Sequence, residues 1–261
     1  MIKIGLTKEM YSIPLLSLLK NSSDIDTYLT QSSSEINQQL VNGTFDAAQI
    51  SIIDYAENSS ELALIREFAI SSTGKSGCAL IFFQKNLEDF ESIVYQASDQ
   101  YLALTQIVMR EFFEIDPRWE LVSTNQELEK LLKKYQGVLL SGNEALRHHS
   151  KEGNAIDVTE EWWLQKESPY IHSVLAVRKN SDKIGNIKSV FQLINSKFEV
   201  DMEVMKIHLN KNDKISDKSF ELIRNQYSFL GNDQIWESAL EYLKFLYYYE
   251  KIPYIPGLNF L

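Results

Sequence analysis

The sequence predicts an α/β protein, because short apolar runs typical of strands alternate with segments of helical spacing. Residues 2–6 are apolar enough for a buried strand, and Pro14 stands where the first turn of a following helix is expected. Residues 26–30 and 46–50 repeat the strand pattern. Alternating strands and helices indicate a mainly parallel sheet that is covered by helices.

The rest of the chain continues this alternation. Further strands are predicted at residues 78–83, 93–95, 119–122, 138–140 and 169–178. Helices are predicted at residues 102–112, 125–135, 187–194 and 220–249. A chain of 261 residues is long for a single hydrophobic core, so two lobes are expected. The large aromatic side chains, Tyr247 and Tyr248 among them, are expected in the core.

The net charge argues against two classes of partner. The sequence has 36 acidic and 26 basic residues, which gives a formal net charge of −10. This charge repels phosphate backbones and anionic lipids, so neither nucleic acid nor a membrane surface is an expected partner. The first residues form no secretory signal, and no stretch approaches about eighteen uncharged apolar residues. A cytoplasmic location is therefore expected.

The cysteine and histidine content favours no metal site. Cys78 is the only cysteine, so neither an internal disulfide nor a cysteine-rich metal site is expected. His148 and His149 adjoin, but neighbours on a helix point about 100° apart and make a poor ligand pair. The G-x-S-x-G, P-loop and G-x-G-x-x-G motifs are also absent. The sequence therefore gives little support to a metal-binding protein, a classical hydrolase, a kinase or a dinucleotide-binding protein.

Two loops are the first candidates for a ligand site. In open α/β sheets, ligands bind beyond the carboxyl ends of the strands. The loops at residues 7–12 and 51–54 follow predicted strands and carry Tyr11 and Ser51. Both residues are therefore candidate ligand contacts, although packing of Tyr11 against the protein explains that residue equally well.

Several segments resemble one known family in order and spacing. Residues 138–146 are similar to L-L-I-G-D-x-A-L, residues 156–162 to Y-D-L-G-x-E-W, and residues 166–178 to T-G-L-P-F-V-F-A-V-W-A-A-R. Residues 40–55 resemble L-x-x-G-x-x-D-x-x-L-I-P-x-x-E-Y, and residues 257–260 a closing G-L-x-F. These patterns are similar to the menaquinone-biosynthesis family of the futalosine pathway, and most similar to its chorismate dehydratases.

The resemblance implies a type II periplasmic-binding-protein-like α/β fold. Such a fold has two lobes, each with a mixed, mainly parallel sheet that is flanked by helices, joined by two crossing strands. Residues 1–85 and 180–261 would form lobe 1, and residues 86–179 would form lobe 2. The strands at residues 78–83 and 171–178 would be the crossings.

The resemblance also implies a reaction. A family member would act as a carbon–oxygen lyase, a hydro-lyase that eliminates water from chorismate in a cleft between the lobes. The product would be 3-[(1-carboxyvinyl)oxy]benzoate, and neither a metal nor an organic cofactor is required. The expected partner is chorismate or a related small anionic organic molecule, which backbone N–H groups at helix N-termini would hold.

Three candidate catalytic residues follow from the resemblance. Tyr11 stands where the family has an asparagine implicated in catalysis, and a phenol cannot reproduce both the donor and the acceptor of an amide. Residues 74–78 stand at the family's G-x-V-x-S, whose serine contacts substrate, which makes Ser76 and Cys78 the nearby candidates. A turn of small residues and a buried thiol are the alternative explanation of these two residues, and the simpler one.

The candidate substrate-binding residues are more dispersed. The family's S-R-T-S anion loop corresponds roughly to residues 99–102, and His172 stands where the family has phenylalanine, so His172 either faces the cleft or is a core histidine. Helix capping is an alternative role for Asp99 and Asn143. The full set comprises Ser51, Ser98, Asp99, Gln100, Asn143 and His172.

The departures at motif positions keep three functions open. The first is a divergent chorismate dehydratase. The second is a binding protein for a small anion without turnover, and the third is a partner subunit of a pathway enzyme. The family resemblance favours the first function, whereas the replaced motif residues favour the other two.

Overall fold

A computed structural model describes residues 1–20, 24–30, 33–84, 90–96, 100–123, 126–150, 153–195 and 216–261. The chain divides into two compact units. Unit 1 comprises Met1–Ser71, Tyr170–Asp213 and Tyr227–Leu261. Unit 2 comprises Ser72–Pro169 and Lys214–Gln226.

Strands and helices alternate through most of the described chain. In chain order the elements are β1 (Ile2–Thr7), α1 (Ile13–Lys20), β2 (Ile25–Thr30), α2 (Ser33–Val41), β3 (Ala47–Ile50), α3 (Ile52–Glu57), β4 (Leu62–Ser72), β5 (Ala79–Phe83), β6 (Ser92–Tyr95), α4 (Gln100–Phe112), β7 (Arg118–Leu121), α5 (Leu128–Leu132), β8 (Gly137–Ser141), α6 (Gly142–His148), β9 (Asn154–Asp157), α7 (Val158–Lys166), β10 (Tyr170–Arg178), α8 (Ile184–Asn195), α9 (Asp217–Gln226), β11 (Tyr227–Ser228) and α10 (Asp233–Tyr248).

The sheet of unit 1 has six strands in the order β11-β4-β10-β3-β1-β2. β1 is parallel to β2 and β3, whereas β10 is antiparallel to β3. Because β1 lies inside the sheet, its alternate side chains Ile4 and Leu6 are fully buried. Gly5 between them is required by packing, since an added Cβ would stand 2.5 Å from the Phe45 ring.

The sheet of unit 2 has five strands in the order β7-β6-β8-β5-β9. β6 is parallel to β7 and β8, whereas β5 is antiparallel to β8 and β9. The apolar face of α5 packs on this sheet, with Leu128 and Leu131 buried against Val94, Val138 and Leu140. Both units are therefore mixed sheets flanked by helices, which confirms the predicted fold class.

The unit boundaries differ from the sequence-based ones of 1–85 plus 180–261 and 86–179. β5 hydrogen-bonds to β8 and β9, which are strands of unit 2, and β10 hydrogen-bonds to β3 in unit 1. The chain therefore passes from unit 1 to unit 2 after Ser71 and returns at Tyr170. The strand at 78–83, expected to cross, lies within the sheet of unit 2.

The structure contains several elements that the sequence patterns did not predict. β4 is buried along most of its length, but Arg66 and Glu67 interrupt its apolar run. β9 and α7 fill the segment before β10. The single helical region expected at 220–249 is interrupted by β11 and by Asn232, whose side chain accepts a hydrogen bond from the Ile235 N–H as the N-cap of α10.

One expectation about the core is wrong. Tyr247 and Tyr248 are 50% and 76% exposed, because they lie on the outer face of the last turn of α10. The opposite face of this helix buries Tyr242, Leu243 and Leu246.

Across the described ranges, every helix is either too short or too polar to span a bilayer.

Candidate functional site

A hydrogen bond between two buried hydroxyls closes the loop that follows β1. Thr7 is the last residue of that strand, and its Oγ1 lies 2.7 Å from Oγ of Ser12. The Ser12 N–H also donates to the Glu9 carbonyl at 2.9 Å. The bond fixes the short 3-10 turn that carries Tyr11, at the carboxyl end of a parallel strand.

Tyr11 packs in an aromatic cluster, which we define as Tyr11, Tyr170, His172 and Tyr227. The His172 ring stacks on Tyr227 with centroids 4.7 Å apart, and the Tyr11 ring lies 5.4 Å from His172. Tyr170 meets His172 edge-on at 5.1 Å. These separations are in the favourable range for aromatic pairs. The structure thus brings together two residues that the sequence singled out separately, Tyr11 and His172.

Burial sets the protonation state of His172. The side chain is fully buried, and desolvation of the charged form lowers the pKa of His172 to about 3. The imidazole is therefore neutral at pH 7, with one ring nitrogen a donor and the other an acceptor. In this state His172 can take part in hydrogen bonding, but it supplies no positive charge to an anion.

A second buried polar pair joins β3 to β10. The Gln49 Nε2 donates to Ser173 Oγ at 2.9 Å, and both side chains are buried. The Gln49 Oε1 is also buried, and no hydrogen-bond partner lies within reach in the part of the chain that the structure describes. Since successive side chains on a strand point to opposite faces, Ser173 points away from the face that carries His172.

Ser51 is committed to capping α3. Its hydroxyl accepts from the Asp54 N–H at 3.0 Å and donates to Asp54 Oδ2 at 2.7 Å. The Asp54 carboxylate also accepts from the Ser51 N–H, which completes a capping box. Burial raises the pKa of Asp54, although these hydrogen bonds oppose the shift. The cap accounts for Ser51, and its contact with a ligand stays a prediction.

In unit 2, the buried carboxylate of Asp157 anchors the turn at residues 74–78. Its Oδ2 accepts from the Gly77 N–H at 2.7 Å, and its Oδ1 accepts from the N–H and hydroxyl of Thr159 at 3.1 and 2.7 Å. Asp157 is also the N-cap of α7. Burial raises the pKa of Asp157, and the hydrogen bonds oppose that shift.

Ser76 and Cys78 lie inside this anchored turn. The Ser76 N–H donates to Thr159 Oγ1 at 3.0 Å, and the Ser76 hydroxyl accepts from the Cys78 N–H at 3.1 Å. Both side chains are fully buried. Gly77 between them has φ +70°, a backbone conformation that residues other than glycine rarely adopt. These contacts stabilise the turn, and the predicted catalytic role of Ser76 and Cys78 stays a proposal.

A small cavity of about 110 Å³ lies beside the turn. Pockets that hold small-molecule ligands have volumes of about 300–1,000 Å³, so this cavity alone does not hold a molecule of that size. Its lining combines opposite charges, because the Lys75 ammonium lies 3.6 Å from the Glu160 carboxylate. The other lining residues include Gly77, His149, Asp157 and Leu222.

The remaining predicted residues are distributed over unit 2. Gln100 is the first residue of α4, and Asn143 is the second residue of α6; both are partly exposed. Ser98 and Asp99 lie outside the described residues. Of the described candidates, unit 1 contains Tyr11, Ser51 and His172, and unit 2 contains Ser76, Cys78, Gln100 and Asn143.

Sequence reasoning missed the groups that hold these loops. Asp157 and Thr159 had a readable signal, since an aspartate that precedes a helix with a threonine two residues later is typical of an N-cap. Gln49 and Ser173 had none, because their pairing joins strands that are far apart in the chain.

The two units, each a mixed sheet flanked by helices, define the chain as a protein of the periplasmic-binding-protein fold class. Three solved structures share this fold. An Archaeoglobus fulgidus protein is 11% identical with TM-score 0.64, covering 96% of this chain and 98% of its own. An ABC transporter from Parabacteroides distasonis is 14% identical with TM-score 0.68, covering 100% and 98%. The periplasmic aliphatic sulphonate binding protein SsuA from Escherichia coli is 10% identical with TM-score 0.66, covering 98% and 90%.

At these identities the solved structures establish the fold alone. The sequence model of the family described as menaquinone biosynthesis matches residues 2–246. The chain therefore belongs to the menaquinone biosynthesis family, which confirms the family that the motifs indicated.

Proposed function

We propose that this chain is a chorismate dehydratase-like lyase of menaquinone biosynthesis that acts in the cytoplasm. The match of residues 2–246 to the family carries the proposal. The placement of Tyr11 supports it, because this residue follows β1 in the loop where ligands of open α/β sheets bind. The family resemblance implies a cleft between two lobes as the ligand site, and that location stays a prediction.

The proposed reaction removes one molecule of water from chorismate. The C–H bond at the ring carbon bearing the enolpyruvyl ether breaks, and its electron pair forms the third double bond of the ring. The C–O bond at the neighbouring carbon breaks, and the hydroxyl leaves with a proton as water. The product is 3-[(1-carboxyvinyl)oxy]benzoate, and no oxidant or reductant enters the balance. Formation of the aromatic ring drives the elimination.

Neutral hydrogen-bond donors suit this reaction in an acidic protein. Oriented donors stabilise developing negative charge without a net positive charge on the protein, whose formal charge is −10. In the proposal, the phenol of Tyr11 donates a hydrogen bond to the leaving hydroxyl. A carboxylate of the substrate accepts the ring proton and passes it to that hydroxyl, which leaves as water, so that the protein mainly orients the dianion. His172, neutral beside Tyr11, fixes the position of the Tyr11 ring.

Ser76 and Cys78 have a different place in the proposal. Their side chains are buried, and the Ser76 hydroxyl accepts a hydrogen bond from the Cys78 N–H. These contacts favour a positioning role, in which the turn at 74–78 keeps its shape through Asp157 and Thr159. Substitution of either residue is then expected to change KM for chorismate more than kcat.

The role of Tyr11 is tested by comparing two tyrosine-to-phenylalanine variants. Tyr11→Phe removes one hydroxyl from the proposed site, and loss of one transition-state donor is expected to lower kcat about 100-fold. Tyr248→Phe is the matched control, because Tyr248 is 76% exposed on α10, and its kcat should equal that of the wild type. Equal activity of wild type and Tyr11→Phe would remove the phenol from the mechanism.

A binding protein without turnover is the second candidate function. Tyr11 favours it, because a phenol lacks the acceptor that the family's asparagine amide provides beside its donor. A structural neighbour, SsuA of Escherichia coli, is by its name a sulphonate binding protein. Titration calorimetry with chorismate, combined with chromatography of the same sample, separates the candidates. Heat of binding without product selects the binding protein, and heat of binding with product selects the lyase. If the sample shows no heat of binding and no product, both candidate functions are contradicted.

A further inference from the structure

The hydroxyls of Thr7 and Ser12 join the segment that carries Tyr11 to the sheet of unit 1. Thr7 is the last residue of β1. The next residue, Lys8, is still held to the neighbouring strand, because its N–H donates to the Thr30 carbonyl at 2.9 Å. Ser12 directly follows Tyr11 in the 3-10 turn. The 2.7 Å bond between Oγ of Ser12 and Oγ1 of Thr7 therefore ties this turn to a fixed strand.

Burial strengthens the bond between these two hydroxyls. Thr7 and Ser12 are 8% and 1% exposed, so water competes little for either group. A hydroxyl that loses its partner in such surroundings carries the cost of its desolvation. The helix α1 begins at Ile13, immediately after Ser12. The backbone around Tyr11 is thus fixed by this bond and by the start of α1.

The ring of Tyr11 is supported separately from its backbone. It lies 6.0 Å from the Tyr227 ring with the planes 21° apart, and Tyr227 in turn stacks on His172. Stacked rings attract one another over centroid separations of about 4.5–7 Å, so these contacts restrict the tilt of the Tyr11 ring more than its position along the stack. The place of the Tyr11 hydroxyl therefore depends on the backbone that the Thr7–Ser12 bond fixes.

We propose that Thr7 and Ser12 are positioning residues whose hydrogen bond sets the place of the Tyr11 hydroxyl. The inference rests on the function proposed above, in which that phenol donates to the leaving hydroxyl of chorismate. A misplacement of about 1 Å at a reacting group can lower the rate about 100-fold. A shift of Tyr11 therefore lowers kcat, whereas the affinity for substrate, which other contacts also provide, changes little.

Two substitutions of Thr7 separate its hydroxyl from its packing. Thr7→Val keeps the shape and removes the hydroxyl, whereas Thr7→Ser keeps the hydroxyl and removes a methyl group. Thr7→Val should lower kcat about 10-fold and Thr7→Ser less than about 2-fold, as expected for loss of one orienting hydrogen bond, with KM nearly unchanged in both. A role in packing alone gives the reverse order, because the serine leaves a void. A lower kcat for Thr7→Ser than for Thr7→Val would overturn the proposal.

The same substitution in a Tyr11→Phe background shows whether the bond acts through the phenol. There Thr7→Val should change kcat by less than about 2-fold, because the group that the bond positions is absent. An equal loss of kcat in both backgrounds would overturn the proposal. Circular dichroism verifies that each variant is folded.

A measurement without turnover separates this proposal from the proposed reaction. In protein labelled with ¹³C at the Cζ of its tyrosines, the resonance that Tyr11→Phe lacks belongs to Tyr11. The resonance that Tyr248→Phe lacks is the reference, because Tyr248 is 76% exposed. Thr7→Val should shift or broaden the Tyr11 resonance and leave that of Tyr248 in place, whereas Thr7→Ser should keep both.

The two readouts fail in different ways. If the wild type forms no product but the Tyr11 resonance responds as expected, the proposed reaction is contradicted and the dependence of Tyr11 on the Thr7–Ser12 bond is supported. If the Tyr11 resonance is the same in wild type, Thr7→Val and Thr7→Ser, the positioning role is overturned whatever the activity.

Discussion

The ring of His172 stacks on the ring of Tyr227, with centroids 4.7 Å apart and planes 18° apart. The stack joins the two strands, β10 and β11, that flank β4 in the sheet of unit 1. It also encloses the imidazole so completely that the folded protein holds His172 in its neutral form near pH 7. The stability of unit 1 therefore depends on pH through a residue for which the sequence left a cleft-facing role and a core role open.

His172→Phe should make the protein less sensitive to acid. The pKa of His172 is about 3 when folded and about 6.5 when unfolded, so between these values only the unfolded chain binds the proton. The wild type therefore loses stability as pH falls through this window, by up to about 1.4 kcal/mol per pH unit. The variant keeps an aromatic ring and lacks this loss. Urea unfolding of both proteins at several pH values measures the difference, and parallel pH profiles would contradict the assignment.

Asp157→Ala should destabilise unit 2 by about 2–4 kcal/mol, because it removes an N-cap and leaves the buried Gly77 N–H without its acceptor. Asp157→Asn should destabilise unit 2 less, since the amide oxygen of asparagine can still accept a hydrogen bond from the Gly77 N–H. Asp116→Ala is the matched control, because that carboxylate is 70% exposed, and a change below about 0.5 kcal/mol is expected. Urea denaturation measures all three. Equal stability of Asp157→Ala and the control would show that the turn does not depend on this anchor.

The pair of Gln49 and Ser173 should behave non-additively. Ser173→Ala alone removes the partner of a buried amide and should cost about 1–3 kcal/mol. Gln49→Leu with Ser173→Ala replaces both polar groups by the residues that the family patterns have there, and should recover most of that loss. A double-mutant cycle in urea measures the coupling. Additive losses would mean that the two side chains do not depend on each other.

Local patterns predicted most of the fold. β1, β3 and β8 were predictable because each is a short, mainly apolar run. β4 was not, because Arg66 and Glu67 interrupt its apolar pattern, and its burial comes from tertiary packing between β10 and β11. The interruption of the last helical region depends on Tyr227 and Ser228 forming β11 beside β4, which helical spacing does not show.

For the candidate site, the sequence proposed individual residues but not their arrangement. Tyr11 was selected as a candidate because its loop follows β1. His172 was selected because of its position in a family pattern. Their contact depends on how β1 and β10 are ordered in the sheet, which neither segment specifies. For Ser76 and Cys78 the sequence left a catalytic role and a place in a small-residue turn open. The structure shows the Ser76 N–H, the Ser76 hydroxyl and the Cys78 N–H hydrogen-bonded in one turn. Burial and hydrogen-bond partners are features that a sequence does not display.

The most direct test of the proposed function is incubation of the purified full-length chain with chorismate, with chromatography of the mixture over time. The proposal predicts that chorismate is lost and that an equal amount of 3-[(1-carboxyvinyl)oxy]benzoate appears, at a rate proportional to protein concentration. A protein-free sample provides the uncatalysed rate. Product formation at that uncatalysed rate would contradict the proposed lyase activity.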